Sequence, residues 1–233
     1  MAGYTYDSYQ QMVVTQIPTV VTDPNFVTAL PNSISYAELS IYRDLDFLNA
    51  HGNVALGNAT IGTATQTVPS SVVGLEELYF GASNTPVSPM SQAAIRAIYS
   101  STPNGPPQYF AVIGAASGAD WTPGLTVLLG PAPDQTYPLT GYGWQREATL
   151  SATHPTTFIS VNLPDLFWSC AMIFWNSYMK NFGAASDQPS ASVSWAQEYQ
   201  RLLKSANLEE MRKKFQSYSW QAQSPTPIAS QAR

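Results

Sequence analysis

The hydrophobic period changes twice along this chain, and that change limits the fold more than any other feature. Up to about residue 50, and again from Thr157 onward, apolar residues recur every three or four positions. Between these stretches β-branched residues alternate with small and polar ones. Helix and strand faces are built on different periods, so a segment patterned for one does not serve as the other. The expected fold class is α+β: a helical bundle from the N- and C-terminal helices with a β-rich insertion in the middle.

The clearest helical segment is 31–48, where Ile34, Ala37, Ile41, Leu45 and Leu48 share one face. A short helix precedes it, opened by the capping residue Thr5 with Asp7 in its first turn and broken at Pro18. Between the two, Asp23 followed by Pro24 predicts another short helix that stops near Pro31. Beyond the middle region a helix is predicted over 157–182 with a break at Pro164. Its stretch 166–175 is apolar on nearly every side, which suits a bundle centre or a subunit interface. A last helix is predicted over 190–217, with Val193, Ala196, Tyr199, Leu203, Ala206, Met211 and Phe215 as its apolar face.

In the middle, strands are predicted at 54–61, 65–69, 108–113, 125–129 and 137–144, separated by Gly, Pro and Asp clusters that favour turns. The run 75–80 reads as a strand, although so short a run also fits a helix. Ser88 and Pro89 predict a helix start that carries to about residue 99, with Ala94, Ile95 and Ile98 toward the core. There is no internal repeat, which argues against a solenoid.

Charged residues make up 11% of the chain, against roughly 25% in ordinary soluble domains. With 13 Tyr, 6 Trp and 9 Phe, that composition suits a surface buried against neighbours. A monomer whose charges are replaced by Ser, Thr, Asn and Gln has the same composition. The net charge of −5 argues against a free nucleic-acid binder, which shows a basic patch. Its distribution is uneven. Residues 1–195 hold four basic groups (Arg43, Arg96, Arg146, Lys180) against twelve acidic, a balance of −8, and 196–233 hold six against three, +3. A basic end on an acidic body points to a different, acidic surface, or to one solvated helix face.

The chemistry-bearing residues are few. Cys170 lies in the apolar run 166–175, where a thiol is a core residue rather than a nucleophile, and no disulfide within the chain can form. His51 and His154 stand in no metal-ligand spacing. No Gly-x-Ser-x-Gly elbow or phosphate-binding Gly-x4-Gly-Lys loop occurs, and Gly141-Tyr142-Gly143 lacks a third glycine and a following helix, so it reads as a strand bulge or turn. Asp44 and Asp46 point to different helix faces and Glu76 and Glu77 to opposite strand faces, so neither pair has the geometry of a glycosidase dyad. No catalytic residue, cofactor site or metal site is expected. No signal peptide is seen ahead of Tyr4, the apolar run 166–175 is too short to span a bilayer, and assembly in a reducing host cytoplasm is expected.

The segment 31–45 reads Pro-x-x-Ile-x-x-Ala-Glu-x-x-Ile-x-Arg-Asp-Leu, from Pro31 through Ala37, Glu38, Arg43 and Asp44 to Leu45, and follows a Thr-Tyr-led first helix. It resembles the adaptor proteins of the head-to-tail connector of tailed phages. The stretches 107–112, 128–137 with Gly130-Pro131-Ala132-Pro133, and 150–158 with Thr156-Thr157-Phe158 are similar to the same family in the same order, to about residue 215. The loops 81–89 and 115–123 are longer and richer in Gly, Ser and Pro than the family pattern, and the tail after Trp220 has no counterpart in it.

The resemblance implies a non-enzymatic structural protein of the virion at the head-tail junction. It implies a ring of about twelve copies beneath the portal protein, with tail or nozzle proteins docked below and double-stranded DNA passing non-specifically through the lumen. The expected layout is a single adaptor domain over 1–220, helical at 1–50 and 155–218 with a β-rich insertion at 51–150, and a flexible tail at 221–233. The charge switch and the Pro-punctuated tail make the C-terminal end the expected portal contact. Its candidate residues are Lys204, Arg212, Lys213, Lys214, Phe215, Tyr218, Trp220, Ile228 and Arg233. The alternative readings are a phage-tail carbohydrate-binding or hydrolytic module, with Trp121 and Trp144 as platform candidates, and a generic α+β enzyme.

Overall fold

A computed structural model describes residues 3–17, 23–100, 104–114, 124–179 and 189–218. These form six α-helices and seven strands, so the α+β class holds. The chain divides into two compact units, Met1–Leu48 with Ala148–Arg233 and Asn49–Glu147.

In the first unit α1 (Tyr6–Gln16) opens on a capping box, with Thr5 accepting from the Ser8 backbone N–H and Ser8 answering the Thr5 N–H. Helix α2 (Phe26–Asp44) is continuous, which corrects the expectation of two helices meeting at Pro31. Pro31 and Val27, whose carbonyl loses its helical partner to the proline, both lie on the exposed side. On the opposite side Phe26, Ala29, Leu30, Ser33 and Ile34 are buried. Burial of that stripe outweighs one missing hydrogen bond that water can replace. The helix also stops at Asp44, earlier than the spacing predicts, so Leu45 is buried from an extended segment and Leu48 stays exposed.

Helices α4 (Phe158–Asn162) and α5 (Pro164–Tyr178) meet at the break foreseen at Pro164, which takes the first position of α5. Helix α5 packs against α2, α4 and the long α6 (Pro189–Tyr218). Its near-uniform apolarity is explained by burial of Leu166, Phe167, Cys170, Ala171, Met172 and Trp175. The Trp175 indole N–H donates to the Tyr9 hydroxyl at 3.1 Å, and that hydroxyl is 2.9 Å from Ser33 Oγ. Each polar atom in this apolar centre therefore has a partner.

The second unit is one sheet in the order β1-β7-β3-β4-β5-β6-β2. The strands are β1 (His51–Asn58), β2 (Thr65–Thr67), β3 (Val72–Phe80), β4 (Thr85–Pro89), β5 (Tyr109–Gly114), β6 (Leu125–Gly130) and β7 (Pro138–Gln145). All pairings are antiparallel except β4 with β5. Val54 and Leu56 of β1 share one core with Leu78, Val87, Phe110, Val127, Leu129 and Leu139. Strands at opposite ends of the order reach the same core, so the sheet curls around it. The Gln66 side chain of edge strand β2 donates to the Leu56 carbonyl of edge strand β1 at 2.7 Å, which covers part of both edges.

Strand β4, Thr-Pro-Val-Ser-Pro, has no counterpart among the expected strands because two of its five residues are prolines. Pro86 precedes the β5 pairing and Pro89 lies past the β3 pairing, so neither position calls for a donor. Helix α3 (Gln92–Tyr99) starts at Ser91, later than the expected Ser88, and packs on the sheet through Ile95 against Ala111 and Leu128. Of its three expected core residues only Ile95 is buried; Ala94 is half-buried and Ile98 is 56% exposed. A helix of eight residues lying on a sheet has one contact line, and position 98 falls off it.

Candidate functional site

Helix α6 separates into an inward and an outward face, and the division differs from the sequence expectation. Tyr199, Ala206 and Glu210 are buried, whereas Val193, Leu208, Met211 and Phe215 are exposed at 57%, 57%, 65% and 72%. The step from Ala206 to Met211 is five residues, a rotation of about 500° or roughly 140° off the starting face. Met211 and Phe215 therefore cannot share a face with Ala206. The face continues instead four residues on, at Glu210, which the apolar pattern passes over because a carboxylate stands there.

Three groups at the end of α2 tie down the inward face. Tyr199 Oη donates to Asp44 Oδ2 at 2.8 Å, the Leu48 backbone N–H donates to Glu210 Oε2 at 3.0 Å, and Lys214 pairs with Asp46. Burial first, then the bond to Asp44, raises the Tyr199 phenol above its ordinary value. Lys213 bridges Glu209 at 2.8 Å and Glu210 at 2.6 Å, and its bonds to these two carboxylates raise its ammonium. Glu210, 3% exposed, thus has both a backbone donor and a cation, which is what a buried carboxylate requires. Asp44 and Asp46, weighed above as a catalytic pair, are both structural anchors for α6.

The candidate contact residues divide accordingly. Lys213 and Lys214 are engaged within the unit. Lys204 and Arg212 are exposed, with no ion pair among the described residues, and Phe215 stands outward beside them. Tyr218 closes the helix with its side chain outside the described set, and Trp220, Ile228 and Arg233 lie beyond it. Sequence reasoning missed Leu208 as a member of this cluster. Its three- and seven-residue spacing to Met211 and Phe215 was the available signal.

Elsewhere the reactive groups serve the fold. Burial pushes the Cys170 thiol up to about 12 and leaves it 1% exposed, which removes the thiolate a nucleophile needs. Gly141 and Gly143 lie within β7 opposite two irregularities in β3. A Cβ at Gly143 would overlap the Gly74 carbonyl oxygen, so the glycine is required by close backbone approach. In the same sheet the His51 ring lies 4.0 Å from the Trp144 ring, and the Trp144 indole N–H donates to Glu76 Oε1 at 3.0 Å. Glu77 accepts instead from the Tyr79 hydroxyl. Among the described residues no group of His, Cys, Asp and Glu is placed to hold a metal ion, and no helix is long and apolar enough to cross a membrane.

Among the described residues of α6, Lys213 and Lys214 are paired within the unit, while Leu208, Met211 and Phe215 stand outward beside the unpaired Lys204 and Arg212. The family is shown by comparison: the chain matches the SU10 adaptor protein family over residues 4–226 and belongs to it. This is a phage head-tail adaptor family, and its members are structural proteins of the bacteriophage. The match runs past Trp220, into the segment where the sequence showed no family counterpart. No curated protein sequence matches the chain.

Proposed function

We propose that the protein is a head-to-tail connector adaptor that assembles as a ring of about twelve copies, joins the portal protein to tail or nozzle proteins, and lines the DNA channel. Its place is the head-tail junction of the virion, after assembly in the host cytoplasm. In this reading 1–220 is one adaptor domain, a bundle of terminal helices carrying the β-rich insertion. The observation that carries the reading beyond family membership is the outward cluster of Leu208, Met211 and Phe215 beside Lys204 and Arg212. A monomer gains nothing from exposing three large apolar residues in one row, whereas a subunit of an assembly buries them.

The segment from Lys204 to Arg233 meets the portal, with Lys204, Arg212 and Phe215 supplying its accessible contacts. The balance of −8 over residues 1–195 suits a channel wall, because like charge repels the DNA backbone and keeps it sliding. The carbohydrate-module reading has less support. Trp144 gives its N–H to Glu76 and one ring face to His51, and Trp121 lies outside the described residues.

Native mass spectrometry of the protein alone and mixed with its portal tests the proposal. A ring or a portal-bound complex is expected, and a strict monomer in both samples overturns it. Full-affinity retention of portal rings in moderate salt by a chain ending at Ser217 removes the tail from the contact.

A further inference from the structure

We infer that the outward face of the C-terminal third of α6 receives an acidic amphipathic helix from another protein. The inference deepens the portal-docking reading of the same residues and rests on it only for the partner's identity.

Leu208, Met211 and Phe215 follow one another at three and then four residues, and Tyr218 stands three further along the sequence. That alternation is the spacing of a helix seam in a two-helix packing, where each apolar residue enters a hole on the facing helix. The seam is opposite to the face that α6 already uses, since Ala206 and Glu210 are buried while Leu208, Met211 and Phe215 are exposed at 57%, 65% and 72%. A strip one residue wide and about two turns long suits a helix better than a flat sheet or a globular surface.

The flanking charges select the occupant. Lys204 lies one turn before Leu208 and Arg212 lies beside Met211, both exposed and without an ion pair among the described residues. Lys213 and Lys214, by contrast, are held by Glu209, Glu210 and Asp46. The seam is therefore bordered by uncompensated positive charge, and the facing helix carries Asp or Glu at its flanking positions. A second copy of α6 does not meet that requirement. It presents the same two unpaired cations along this face, and the exposed carboxylate next to them, Glu209, is already held by Lys213.

The test uses the full chain and two labelled helical peptides of about three heptads with Leu at the seam positions, one with Glu and one with Lys at the flanking positions. Fluorescence anisotropy is expected to show saturable binding of the acidic peptide, with the basic one weaker by about tenfold or more. Met211→Asp, on an exposed position, is expected to keep the melting temperature and weaken the acidic peptide by on the order of tenfold. The double change Lys204→Glu with Arg212→Glu is expected to reverse the preference. Equal binding of both peptides, no saturable binding of either, or an unchanged affinity in Met211→Asp overturns the inference. So does sedimentation showing that Met211→Asp dissolves a wild-type oligomer, because the occupant is then a second copy. If Met211→Asp loses the acidic peptide yet captures portal rings undiminished, the helix-docking inference stands and the portal reading of this face fails. Loss of portal capture without peptide binding gives the reverse.

Discussion

Thr157 and Glu38, 119 residues apart in the sequence, are joined by a buried hydrogen bond in which Thr157 Oγ1 donates to Glu38 Oε1 at 3.0 Å. The same Oγ1 accepts the Ser160 backbone N–H and so caps α4. Both Glu38 oxygens accept the Leu150 N–H at 3.3 Å. One carboxylate in the middle of α2 therefore fixes the segment through which the chain returns to the helical unit. Glu38 and the 150–158 stretch are two of the sequence features that resemble the adaptor family, and this contact gives a physical reason for their appearing together.

Replacing Glu38 by Ala leaves a buried backbone N–H and a hydroxyl without this acceptor and is expected to lower unfolding free energy by about 3 kcal/mol. Glu38→Gln keeps one acceptor oxygen and is expected to cost about half as much. Urea midpoints read both, and an unchanged midpoint in Glu38→Ala refutes the role.

Alkaline pH is expected to destabilise the helical unit through two buried groups. Burial raises Cys170 from 9.0 to about 12 and Tyr9 from 10.0 to about 12, in the latter case against partly compensating bonds to Ser33 and Trp175. Both folded values exceed the unfolded ones, so their stabilisation is complete below about pH 9 and is lost as pH rises toward 12. Urea midpoints should fall across that window. Cys170→Ala should flatten the fall from its lower end and Tyr9→Phe from pH 10 upward. A wild-type midpoint that held level to pH 11.5 would contradict both assignments.

The ties on α6 differ in strength. Glu210→Ala takes away the acceptor of the part-buried Leu48 N–H and leaves Lys213 with Glu209 alone, with an expected loss of about 1 to 2 kcal/mol. Lys214→Ala breaks a pair whose Asp46 side chain is 55% exposed and should change stability by less than about 1 kcal/mol. Equal effects in thermal melts would show that Glu210 is not specially buried.

Gly143→Ala drives a Cβ into the Gly74 carbonyl oxygen, whereas Gly141→Ala first meets the Leu75 Cδ1 at the end of a rotatable side chain. The first should cost about 2 to 3 kcal/mol and the second about 1 kcal/mol or less. Amide exchange along β3 and β7 should quicken only in Gly143→Ala.

Much of the element plan is readable from local chemistry. Thr5 and Thr157 cap helices, Pro164 starts one, and strands alternate where Val54, Leu56, Val127 and Leu129 turn to a common core. Local patterning misleads where a tertiary term outweighs it. Pro31 sits inside a helix because its exposed side tolerates the lost bond and its buried side holds the helix together. The proline-bearing β4 forms because its bonds to β5 come from the Ser88 and Met90 N–H groups, and neither proline stands at those positions.

The interface shows the same division. The basic C-terminal segment and the aromatic excess are counts along a chain, and residue order alone supplies them. Which cations remain available is a matter of distance: Lys213 and Lys214 are consumed by Glu209, Glu210 and Asp46, while Lys204 and Arg212 are not. Which apolar residues face outward depends on how α6 is turned, and the buried Glu210 holds that turn by bonding Leu48. Sequence determines the period, caps and charge balance because these act between near neighbours. The facing of α6 and the engagement of Lys214 depend on Asp44, Asp46 and Leu48, more than a hundred residues away, and only the folded chain brings those together.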